Sequence, residues 1–214
     1  MIKIAKVYPA LFASDRLLIL TISCWEFLLS QQRRRRRVCI SSPARAHVPT
    51  ITGLGPTDPA IDVESLGDLL LGTYDKTLFS MLTPDVSALL AARPNIDTVV
   101  LFGIEASSPH YRPPLSHVKQ SHVCVLQTTL ALLALGKHKV YIVADGVSST
   151  NSFEVPIAIS RMRQEGAIIS TSESISFELV KDASSPTFKP FSNLVKEFKD
   201  STKANGDALL QGKL

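Results

Sequence analysis

Cysteine is scarce: Cys24, Cys39 and Cys124 are the only three in 214 residues. The number is odd and no pair has C-x-x-C spacing, so neither a disulfide framework nor a structural zinc site is suggested, and a reducing compartment is expected. A surplus of one charge is also lacking. The net charge of +4 rests on five consecutive arginines, Arg33 to Arg37, and without those five the balance is −1. Such a body has no electrostatic reason to attract nucleic acid. Long uncharged runs are missing too. The chain is apolar from Leu17 to Cys24 and on to Leu29, but Asp15, Arg16 and Glu26 leave about half of the roughly 20 residues that a spanning helix needs. The arginines follow the apolar stretch instead of preceding it, which is the wrong order for a signal peptide. A signal anchor over 17–29 with an arginine flank, and a nuclear localisation signal at the arginines, are the minor alternatives.

What is present is an ordinary globular composition, 45% hydrophobic and 20% charged, long enough for one substantial core. Segment 97–104 (DTVVLFGI) reads as a buried strand, as do 139–144 (KVYIVA) and, more briefly, 167–170. Between and after them, 84–92, 122–135, 154–164, 172–180 and 191–198 read as helices, with Gly136 and Gly166 as stops. Continuous apolar strands separated by helices are the pattern of a doubly wound, Rossmann-like α/β domain: a parallel sheet with helices on both faces. Ligands of such folds lie at the carboxyl ends of the strands.

Motifs in this order and spacing give the chain a resemblance. GLGPT at 53–57, KTLFSM at 76–81, VVLFGIEA at 99–106 and HVCVLQTTL at 122–130 resemble the isochorismatase domain-containing group of the isochorismatase-like cysteine hydrolase superfamily. The likeness continues through VADGVSS at 143–149, RMRQEGA at 161–167, STSES at 170–174 and FELVKDASSPTFK at 177–189. It implies a site at the strand ends made of a Cys nucleophile at the start of a helix, a Lys, and an Asp from the first strand. Cys124 matches the nucleophile and Lys76 the lysine, as charge stabilisation. The acid/base Asp is not found: the family's first strand ends in Asp-x-Gln, and no such motif occurs in residues 1–49, where Asp15 is followed by Arg16 and Leu17.

A second departure lies beside the nucleophile. The family runs from GIEA directly into HVCV, whereas residues 107–121, with Pro109, Pro113 and Pro114, are inserted here. With the foreign N-terminus, this resembles an imperfect gene model or a splice variant. The expected organisation is an atypical segment 1–47 that packs poorly and leaves the family's first strand missing or replaced, a domain over 48–199 with insert 107–121 as an exposed loop, and a flexible tail over 200–214. The expected function is hydrolysis of an unknown small amide or related substrate, impaired by the missing Asp and the insert. The alternative is a non-catalytic scaffold or interaction protein, a pseudoenzyme that retains the fold.

No cofactor or metal is expected. His110, His117 and His122 match no zinc spacing, and Gly53 and Gly55 make no phosphate loop. Asp145, at a strand end, is read as a helix or turn cap. The remaining expectations are an unidentified small-molecule substrate, no nucleic-acid partner, a homo-oligomer left open, and a cytoplasmic location with mitochondrial and nuclear placement open.

Overall fold

The computed structural model describes residues 17–22, 71–72, 74, 76, 78–104, 121–149 and 151–210. In chain order these form β1 (Leu17–Ile22), α1 (Pro84–Ala91), β2 (Thr98–Ile104), α2 (Ser121–Ala134), β3 (Lys139–Ser148), α3 (Glu154–Gln164), β4 (Ile168–Ser170), α4 (Ser172–Val180) and α5 (Phe188–Leu210). The strands make one sheet of order β1-β2-β3-β4, and every pairing is parallel.

Strand periodicity divides the core in two. Val99 and Leu101 of β2 and Val140, Ile142 and Ala144 of β3 share one cluster with Val125 and Leu132 of α2 and Val155, Ile159 and Met162 of α3. Val100 and Val143, one residue out of phase, pack on the other face with Ile175 and Val180 of α4 and Phe191 and Leu194 of α5. Successive side chains of a strand point to opposite faces, so an uninterrupted apolar strand needs a helical layer on each side. The doubly wound expectation is borne out.

Two expectations are corrected. Residues 17–22, placed in a poorly packing N-terminal segment, form β1, which pairs with β2 from Leu17↔Thr98 to Ile22↔Gly103. Leu18 is fully buried. The stretch LLILTI is uncharged and rich in strand formers, and a parallel partner far along the chain suits it better than solvent. The segment expected to leave the family's first strand missing or replaced thus supplies a strand of its own to the sheet, and the first six residues of the candidate anchor are sheet. Among the described residues no helix is long and apolar enough to cross a membrane. The other correction is at the C-terminus, where the tail expected from residue 200 is helical through Leu210. Phe191, Leu194, Val195 and Phe198 recur at three- and four-residue steps and lie in or against the second cluster, which holds that helix to the sheet. The rest of segment 1–47 and residues 107–120 of the insert lie outside the described residues, while Ser121 opens α2.

β3 runs to Ser148, past the expected end at Ala144, because the β2–β3 register shifts between Leu101 and Gly103 and pairing resumes at Gly103↔Val147. Gly146 permits this close passage, since a Cβ there would lie 3.1 Å from Val143 Cγ1 and 3.2 Å from Phe102 Cβ. The N-cap of α4 is Thr171, whose hydroxyl accepts from the Ser174 N–H, and Asp145, expected as a cap, reaches the same helix start from a distance: its carboxylate accepts hydrogen bonds from the Ser172 backbone N–H, at 2.7 Å, and from the Ser172 hydroxyl. It thereby ties β3 to the first residue of α4.

Just before β3, burial pushes His138 below its ordinary value of 6.5, with Lys137 adding to the shift and a backbone hydrogen bond at Ile96 and the charge of Asp97 partly opposing it. Its Nδ1 is buried with no hydrogen-bond partner. The folded state thus prefers the neutral ring, and the unfolded chain binds more protons just below pH 6.5. The associated stability is complete above pH 6.5 and is lost as pH falls towards the depressed folded value. Urea midpoints measured from about pH 7.5 to about pH 5 should fall less steeply for His138→Asn than for the parent, because His titrates in this window. Parallel curves would show that His138 does not contribute.

Candidate active site

β2 ends at Ile104, and the next described element in the chain is α2, in which Cys124 is the fourth residue. The thiol therefore lies in the first helical turn, where backbone N–H groups without intrahelical partners favour an anion. Cys124 is buried, with 1% of its surface exposed.

The second group comes from the segment before α1. That helix begins with Pro84 and is capped by Thr83, whose hydroxyl accepts from the Val86 N–H at 3.3 Å, and the chain leading into it bends over residues 78–81. Lys76 is 3% exposed. Its Nζ donates to the carbonyls of Leu78 at 3.1 Å and Phe79 at 3.3 Å, and to Cys124 Sγ at 3.5 Å. A buried ammonium is tolerated only when paired and hydrogen-bonded, and these three acceptors match its three protons. A thiolate, not a thiol, is the nucleophile, and an adjacent ammonium stabilises the anion.

The two carriers are also joined directly. The Met81 N–H donates to Thr128 Oγ1 at 2.8 Å, and that hydroxyl donates to the Cys124 carbonyl at 2.7 Å. Leu78 and Phe79, whose carbonyls hold Lys76, present exposed side chains.

The structure thus brings Lys76 and Cys124 together across 48 residues. Asp145 is engaged with Ser172 instead. β1 ends in Thr21-Ile22 and is followed in sequence by Ser23 and Cys24, so the strand's end carries no carboxylate. His110 and His117 lie outside the described residues. Thr128 was not singled out from sequence, because a threonine inside an apolar helix gives no signal of what it will touch.

Comparison with known proteins finds that residues 120–174 match the isochorismatase domain. Isochorismatase domain-containing protein 2 of Bos taurus is 39% identical over 156 residues, covering 70% of this chain and 66% of that protein. The chain spans between 44% and 66% of the length of the first curated relatives it matches, less than two thirds. Among solved structures, the MAR1 ribonuclease of Caenorhabditis elegans aligns with a TM-score of 0.62 and 29% identity, covering 85% of this chain and 90% of that one. The YcaC gene product of Escherichia coli, an octameric hydrolase of unknown specificity, aligns with a TM-score of 0.58 at 15% identity, covering 92% and 94%. At that identity the likeness is one of fold.

Proposed function

We propose, from the likeness of this chain to the isochorismatase family, that Cys124 and Lys76 are the nucleophile and charge partner of a cysteine hydrolase site whose acid/base carboxylate is missing. The observation that carries the reading is the buried 3.5 Å contact between Lys76 Nζ and Cys124 Sγ. The substrate class is a small amide or a related acyl compound. The thiolate attacks the carbonyl carbon, the C–N bond breaks as the nitrogen takes up a proton, and water then cleaves the thioester. Backbone N–H groups at the start of α2 would receive the developing oxyanion. The proton required by the leaving nitrogen is the weak point, because that role belongs to the strand-end Asp in the family. Loss of a positioned acid/base costs about 10²–10⁴-fold in rate, and the insert beside Cys124 adds to that loss.

One observation favours a second reading, a non-catalytic scaffold: the end of β1 offers no carboxylate. Thiol labelling and turnover separate the two. In the first reading iodoacetamide modifies Cys124 below the pH at which an ordinary thiol reacts, Lys76→Met slows that labelling, and a panel of small amides shows slow turnover abolished by Cys124→Ala. Labelling indifferent to Lys76, without turnover, leaves the scaffold. Robust turnover by the parent chain, abolished by Cys124→Ala, would overturn the impairment by showing that another carboxylate had taken the role. A reducing compartment, the cytoplasm by default, suits a thiol nucleophile. Self-association belongs to the same proposal, and light scattering tests it.

A further inference from the structure

We infer that Thr128 is a positioning residue: its hydroxyl locks the segment that carries Lys76 to the helix that carries Cys124. This rests on the proposed pairing of Lys76 with Cys124 and adds a residue that acts through it. Thr128 is fully buried. A hydroxyl has one proton and two lone pairs. The proton goes to the Cys124 carbonyl one helical turn earlier, at 2.7 Å, which leaves a lone pair for the Met81 N–H at 2.8 Å. Met81 is itself fully buried. From Met81 the chain leads back through the bend to Phe79 and Leu78, whose carbonyls receive two of the ammonium's three hydrogen bonds, with the third going to Cys124 Sγ. The path closes on itself: thiol, ammonium, bend, Met81 N–H, Thr128 hydroxyl, Cys124 carbonyl. Removing the hydroxyl leaves the Met81 N–H without this acceptor and lets the bend, and Lys76 with it, move away from α2.

The next residue supplies an internal control. Thr129 is equally buried and bonds back to the Val125 carbonyl at 2.8 Å, but its other contact is Met162 Sδ of α3 at 3.2 Å. These two bonds serve helix packing, and neither reaches the described residues of the 76–81 segment.

The test follows thiolate formation at Cys124 by ultraviolet absorbance against pH, taken as a difference from Cys124→Ala. Lys76→Met moves the titration to higher pH. Thr128→Val moves it the same way, by about one pH unit, the usual scale for losing a nearby opposite charge. Thr128→Ser keeps the hydroxyl and titrates like the parent, as does Thr129→Val. In the Lys76→Met background, Thr128→Val adds no further shift, since it acts through the ammonium. If Thr128→Val gives no cooperative thermal unfolding, Thr128→Ala takes its place, removing the hydroxyl without setting a methyl against the Met81 N–H. A parent-like titration of the hydroxyl-free variant beside a shifted Lys76→Met overturns this inference and leaves the hydrolase reading standing. An unmoved Lys76→Met overturns both. An equal shift in Thr129→Val would show general loosening of α2 and sink the positioning role.

Discussion

Ile22→Asp, made in a chain from which residues 107–121 have been removed, should raise Cys124-dependent amide turnover about 10²–10⁴-fold over the same deletion with Ile22 retained. The argument is one of register. β1 is parallel to β2, and Ile22 pairs with Gly103, one residue before β2 ends. A group at position 22 therefore lies at the end of the sheet from which the chain leaves for α2 and Cys124. Removing residues 107–121 joins GIEA directly to HVCV, the run that the family resemblance implies, so the deletion chain is the proper reference. No increase, or an increase that survives Cys124→Ala, would show that the end of β1 is not where the acid/base is missing.

Phe191→Ala should cost about 3–5 kcal/mol of stability, the range for truncating a large buried aromatic. Phe191 has 0% exposure and belongs to one cluster with Val100, Val143, Ile175, Val180 and Leu194. It also meets Phe177 edge to face, with ring centroids 4.8 Å apart and an interplanar angle of 83°. Such a pair contributes about 0.5–1.5 kcal/mol beyond burial. Phe177 is 44% exposed, so Phe177→Ala should cost clearly less. Urea denaturation of both variants gives the comparison, and near-equal losses would show that α5 is not what seals this face of the sheet.

The sheet's centre was legible because its signals are local. Segments 97–104 and 139–144 are apolar without interruption, and Gly136 ends α2 with a φ of 63° that residues with a Cβ seldom adopt. β1 was not legible as a strand. LLILTI is flanked by Arg16 and Glu26 and joins an apolar stretch that reads as a failed membrane segment, while its partner lies beyond residues 23–97, a relation that linear periodicity does not contain. α5 was underread because its apolar stripe ends at Phe198, and the polar run 199–207 (KDSTKANGD) that continues the helix carries no apolar period. Lys76 and Cys124 could be paired only through the motifs around them, since neither residue's immediate neighbours mark it as more than a loop cation and a core thiol. Asp145 was legible as an acceptor for helix N–H groups, but that its partner would be Ser172, next to the N-cap Thr171 and 27 residues on, was not.

Sequence separation also orders assembly in time. β2, α2, β3, α3 and β4 follow one another closely, so their contacts close short loops, whereas β1 must find β2 across residues 23–97, and residues 76–81 must find α2 across the segment holding the insert. Loop-closure entropy is lost before long-range contacts repay it. The central βαβ units can therefore form as a unit before β1 and the Lys76 segment dock. On this account Cys124 emerges from folding first as a helix residue and acquires its ammonium neighbour in one of the last steps, which makes the thiol's environment a reporter of completed folding.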